Sequence, residues 1–137
     1  MKLPIFTTIS LLAAITALTA GCQHESKKPR LAITGTLNYD NLVVTPGCRI
    51  EVLLDDVSRA DAPATTLARQ FISPRQSPPL PFTLYYEPAM IDPAHRYVVS
   101  ARISCGDQLE MITDTAYPVL TQGNPSTATV VLKPVTR

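Results

Sequence analysis

The chain has 137 residues and a formal net charge of +1, from 12 Lys and Arg against 11 Asp and Glu. That length holds one ordinary domain. There is no basic excess and no basic stripe, which excludes a nucleic-acid binder held by phosphate contacts.

Residues 1–21 read as a signal peptide. Lys2 gives a minimal positive start, and residues 5–20 carry no charge. Leu11, Leu12, Ile15 and Leu18 form an apolar body too short and too broken by Pro4 and hydroxyl residues to span a bilayer. Ala20 and Gly21 are small, as a signal peptidase requires, and Cys22 follows at once. This resembles the lipobox of bacterial lipoproteins, with Thr19 where that motif usually has Leu. It implies a lipidated Cys22, with palmitate-type chains holding the protein to a membrane. Gln23 follows the cysteine; the resemblance implies sorting to the outer membrane, periplasm-facing, because Asp there would favour inner-membrane retention. Lys2 is the one charge in residues 1–21, so the mature chain keeps 11 cations and 11 anions. Residues 22–30 form a polar tether, and the eight residues after Cys22 reach at most about 29 Å.

Residues 31–137 read as one all-β domain. Thirteen prolines and five tyrosines, with many Val, Ile and Thr, favour short strands and turns over helices. Residues 31–37 alternate apolar and polar, the period of a half-buried strand. Asp40 and Asn41 mark a turn. Residues 48–55 alternate again, with Cys48, Ile50, Val52 and Leu54 on one face. A turn-rich link follows to Pro63. Residues 67–72 fit a strand and a helical turn equally well. Residues 80–86 form a strand with Leu80, Phe82, Leu84 and Tyr86 inward, and Pro81 places its start at a sheet edge. Residues 87–95 form a loop. Tyr97, Val99, Ala101, Ile103 and Cys105 share one face of the next strand, Gly106-Asp107 turns it, and residues 109–114 return. A short strand at 117–120, a turn at Gly123 and a last strand at 127–133 complete seven or eight strands. Their even spacing predicts a β-sandwich or a partly open barrel.

Several stretches then line up with a known family: residues 54–63, 67–70 and 81–84, then 100–103, 107–109 and 112–115, followed by Pro118-Val119. Together they resemble the YbaY-type lipoprotein family, related to the YscW-type pilotins of type III secretion. The resemblance covers about residues 31–135. It implies a β-sandwich at the outer membrane and carries no catalytic residues. The pilotin branch implies binding to a secretin subunit, so an envelope-protein partner is expected here.

Other chemistry is sparse in the sequence. His24 lies in the tether and His95 in a Pro-flanked loop, read as solvent-facing; no Gly-x-Ser-x-Gly turn is present. No zinc spacing exists, and Asp55, Asp56 and Asp61 lack the order of a calcium loop, so they read as turn and cap residues. No metal, cofactor or catalytic residue is expected, and the chain reads as no enzyme. The leading function is a binding or assembly factor, and the alternative is a periplasmic inhibitor of a wall-degrading enzyme. A hydrolase ranks last for want of histidines.

Two structural expectations follow. Cys48 and Cys105 are both in phase with inward faces, fold in an oxidising compartment and have Cys22 occupied by lipid, which predicts a Cys48–Cys105 disulfide. Leu53, Tyr85, Val98 and Val131 break the polar outward pattern, each on a different strand. They form a candidate partner surface if their strands share a sheet; the competing expectation is that residues 73–79 or 87–95 fold over them.

Overall fold

The computed structural model describes residues 27–137, so the expected signal peptide, Cys22 and His24 lie outside the described residues. Nine strands are present among them. They are β1 (Leu31–Asn38), β2 (Cys48–Asp56), β3 (Thr65–Ile72), β4 (Leu80–Tyr86) and β5 (Tyr97–Cys105). After these come β6 (Gln108–Ile112), β7 (Tyr117–Val119), β8 (Thr127–Val131) and β9 (Lys133–Pro134). A single 3₁₀ turn, Pro88–Met90, sits in the loop between β4 and β5. No helix among the described residues is long and apolar enough to cross a membrane.

The strands make two sheets. The narrow sheet has the order β4-β1-β8, and the wide sheet has β3-β2-β5-β6-β9 with β7 also paired to β5. The inward rows meet between them: Ile33, Leu37, Phe82 and Leu84 from the narrow sheet against Ile50, Leu54, Val99 and Ile103 from the wide one, all buried. Alternation puts those residues on one face because successive strand side chains point to opposite sides. Gly35 sits in the inward row of β1. A Cβ there would run into the Ala128 carbonyl and the Phe82 ring, so the close approach of β1, β8 and that aromatic requires glycine.

The sandwich does not close into a barrel. Side chains serve the two seams instead. On one side the Thr83 N–H donates to Gln70 Oε1 at 2.7 Å, across β4 and β3. On the other the Val131 N–H donates to the Tyr117 hydroxyl at 3.0 Å. Each satisfies an edge group that would otherwise invite another strand.

The segment at residues 67–72 resolves as strand, paired antiparallel along β2. The expected last strand splits into two. Leu132 is buried and its N–H donates to the Asn38 carbonyl, and beyond it the chain leaves the narrow sheet to pair Lys133 with Ile112. That crossing makes nine strands where seven or eight were expected. The strand expected over 109–114 ends at Ile112, because the Ala101 N–H turns to the Thr113 hydroxyl.

Cys48 and Cys105 stand directly opposite in β2 and β5 and form a disulfide, as their phases predict. The neighbouring pair carries the ladder bond, Gly106 N–H to the Gly47 carbonyl. The cysteines therefore occupy a non-hydrogen-bonded site, where facing side chains lie closest. Gly106, at φ 61°, supplies the positive φ that the two-residue hairpin loop beyond Cys105 needs.

Candidate partner-binding face

The outward face of the wide sheet is ordered by its strand registers. Paired residues share a face, so one row runs across five strands: Phe71, Glu51, Arg102, Ile112 and Lys133. The adjacent row holds Arg69, Leu53 and Ser100, and the next Thr66, Asp55 and Val98. On the other flank Arg49 pairs with Ser104, and Ser104 with Leu109.

Two carboxylates are buried on this outer face, Glu51 at 5% exposure and Asp55 at 8%. β2 is an inner strand, and longer side chains from β3 and β5 close over it. Neither carboxylate is left unpartnered, as burial demands. Glu51 Oε1 lies 2.9 Å from Arg69 Nε, and Oε2 accepts from Arg102 Nε at 2.5 Å. Asp55 accepts from the Thr66 hydroxyl at 2.7 Å and from the Ser100 hydroxyl at 2.6 Å. Hydrogen bonding to Glu51 pushes the Arg102 guanidinium pKa up, against its partial burial, and the Glu51 and Asp55 charges add to this. Both arginines remain about half exposed. Among the described residues no hydrogen bond occupies their terminal guanidinium nitrogens. Arg49 stacks its guanidinium over the Phe71 ring, 5.5 Å from the centroid.

A trough of about 340 Å³ crosses this face, with Leu53 and Asp55 on its floor, Thr66 on one wall, and Leu109 and Ile112 on the other. The four residues expected to form one patch do not converge. Leu53 and Val98 lie on the wide sheet, whereas Tyr85 and Val131 belong to β4 and β8 of the narrow sheet. The two pairs are on separate sheets because β4 and β8 pair with β1 whereas β2 and β5 pair with each other, and alternation within single strands carries no information on such pairing. Neither of the loops expected to cover them lines the trough: Leu53 is buried between its cross-strand neighbours Arg69 and Ser100.

A second hollow, about 600 Å³, is lined by Asp56, Ser58, Arg59, Thr65 and His95 among others. His95 is more than a loop histidine in solvent. Its Nδ1 lies 2.7 Å from Asp56 Oδ2, and its carbonyl accepts from the Thr121 hydroxyl at 2.6 Å. Asp56 also accepts from the Ser58 N–H and hydroxyl, the local turn expected of an Asp at a strand end. Burial works against the charged form of Asp56, but the Ser58 bonds and His95 outweigh it and hold its pKa below the usual carboxylate value. Ser58 and His95 both bind the same carboxylate, so the imidazole is not placed to take the Ser58 proton. The contacts pin residues 92–96 to the end of β2; they do not build a nucleophile. Among the described residues no group of three His, Cys, Asp or Glu is arranged to hold a metal ion.

The buried Glu51 with its two arginines was not singled out in the sequence. The signal was there as charges at outward positions of three separate strands, but only the registers bring them together.

Comparison with known proteins agrees with this architecture. Residues 28–132 match the family described as type III secretion system lipoprotein chaperone (YscW). The chain is 34% identical over 124 residues to the uncharacterized lipoprotein YbaY of Escherichia coli K12, covering 90% of this chain. It spans 64% of the length of that relative. An alternative pilotin from the type II secretion system of Vibrio cholerae shares the fold with a TM-score of 0.74 and 37% identity. The match covers 80% of this chain and all of that one. With the match over residues 28–132 and the shared fold in agreement, the chain belongs to the YscW family of lipoprotein chaperones.

Proposed function

We propose that the protein is a non-enzymatic, lipid-anchored assembly factor of the outer membrane, acting on an envelope protein in the manner of a pilotin. Residues 1–21 are cleaved, Cys22 carries the lipid, residues 22–30 are the tether, and residues 31–137 are the binding domain. The observation that carries the reading is the likeness to the Vibrio cholerae pilotin over that chain's entire length. The face described above supports it: a trough with arginine N–H groups left over, whose Thr66 and Ser100 hydroxyls are both given to Asp55.

The tether keeps the domain within about 29 Å of its membrane, so the partner must be met at that surface. Labelled palmitate should enter the wild type and not Cys22→Ser, which should also leave the membrane fraction. Deleting the gene should leave an outer-membrane protein undelivered, seen as its loss from the outer-membrane band of a density gradient. Equal labelling of the mutant sinks the anchor, and an unchanged outer-membrane proteome sinks the assembly role.

A further inference from the structure

We propose that the trough on the wide sheet is the partner site, and that its occupant is an acidic segment carrying apolar residues; this rests on the assembly-factor reading and adds the place and the chemistry. Charge complementarity on one face selects this occupant. The chain as a whole is almost neutral. Its wide-sheet outer face is not neutral in what it presents. The registers bring Arg49, Arg69, Arg102 and Lys133 there, against two carboxylates, Glu51 and Asp55. Both carboxylates are buried and fully engaged. A visitor therefore meets cations and apolar side chains, and no free carboxylate on that floor.

Glu51 does more than neutralise. It takes one Nε from each of two arginines and so fixes both guanidiniums in place, while their remaining N–H groups stay available. An arginine has five such donors, and a carboxylate can accept two at once. Holding the arginines still beforehand removes most of the side-chain entropy that binding would otherwise cost. Apolar ground lies on either side: Phe71, 55% exposed, beyond one wall, and Leu109 and Ile112, each 39% exposed, on the other. From β3 to β6 is three strand spacings, roughly 14 Å, wide enough for a single segment of chain. The narrow sheet offers no such combination. Its outward residues on β1 and β8 include Thr34, Thr36, Thr127 and Thr129, none of them charged.

The test is photocrosslinking in cells with the full chain. A benzophenone amino acid is placed at Leu109 on the trough wall or at Tyr85 on the opposite sheet, and each adduct is mapped by mass spectrometry. The expected result is an adduct from Leu109 with an envelope protein, at a segment that carries clustered Asp or Glu beside apolar residues. Reversing two exposed cations that do not touch Glu51, Arg49→Glu with Lys133→Glu, should cut its yield at least about tenfold. Changing the acids of the mapped segment to Lys should restore it. The melting temperature is measured alongside. If the double variant proves unstable, Lys133→Glu alone is read the same way, with a smaller loss.

An adduct from Tyr85 and none from Leu109 overturns the site and leaves the assembly role standing. A Leu109 adduct with phospholipid, with a segment lacking carboxylates, or one indifferent to charge reversal overturns the chemistry in the same way. No envelope-protein adduct from either position removes the assembly role together with this proposal.

Discussion

The outer faces of the two sheets obey the same alternation and yet differ in kind. On the narrow sheet the outward row of β1 is Ala32, Thr34 and Thr36, facing Tyr85, Thr83 and Pro81, and none of these is buried. On the wide sheet the outward row of β2 is Arg49, Glu51, Leu53 and Asp55, and the last three are buried. Outward therefore does not mean exposed. In β2, arginines and serines from two flanking strands close over the row and complete its hydrogen bonds. In β1 the flanking residues are threonines, Pro81 and a Tyr85 that stands 64% exposed, and none closes over the row. Burial on an outer face is set by neighbours on the adjacent strands, which can lie dozens of residues away in sequence.

That contrast can be broken at graded depth. The largest effect belongs to the inward row. Ile50→Asp places a carboxylate where no partner exists and gives up burial of about 1.5–3 kcal/mol. We expect a total cost above about 4 kcal/mol, read as the loss of a cooperative transition in denaturant.

The wide sheet alone is cross-linked. Opening the Cys48–Cys105 bond frees a closed loop of 58 residues and should cost about 4 kcal/mol by chain entropy. A denaturation midpoint unchanged by reductant would show that the unfolded chain keeps β2 and β5 close even without the bond.

Next comes an asymmetry within the outer row. Arg69→Ala with Arg102→Ala strands Glu51 in a buried position and should cost roughly 3 kcal/mol. Glu51→Ala leaves two arginines that are half in water and should cost about 1 kcal/mol. Equal costs would mean that Glu51 regains solvent when its partners go, and that the face is less closed than β2 suggests.

The smallest effects sharpen the comparison between the sheets. Ser100→Asp on the wide sheet sets a second carboxylate against Asp55 and should cost about 1–2 kcal/mol. Thr34→Asp on the narrow sheet should stay within about 0.5 kcal/mol. Thermal melts of the pair at neutral pH and moderate salt decide it. The simple alternation argument would have made both substitutions mild, since both residues face outward.

Much of the fold was legible before any coordinates. β4 and β5 run over the residues that the alternation marks, and β2 differs by one residue at its end. Pro81 lies on an edge strand, where a missing N–H costs nothing. The disulfide followed from two phases and a compartment. What stayed hidden was pairing. Residues 67–72 suited two kinds of element, and only the ladder to β2 selected strand. The site suffered most from this. Leu53 and Tyr85 looked equivalent as apolar breaks in a polar pattern, but one lies buried between an arginine and a serine while the other stands 64% exposed on the other sheet. Glu51, Arg69 and Arg102 looked like three ordinary surface charges, because a strand sequence states which way a side chain points and not whom it meets.

The narrow sheet has a mechanical meaning as well. β1 begins directly after residues 27–30, and its backbone bonds run to β4 and β8. A pull arriving at Leu31 thus enters the narrow sheet. No continuous backbone ladder leads from there to the wide sheet, which is joined to it by packed side chains, by the seam contacts at Gln70 and Tyr117 and by the chain crossing at Leu132. Such packing resists through many contacts of about 0.1–0.2 kcal/mol apiece. On the proposed placement of tether and partner, tension between them would be borne in shear across the core, spread over the packed interface, while the disulfide-linked strands keep their register.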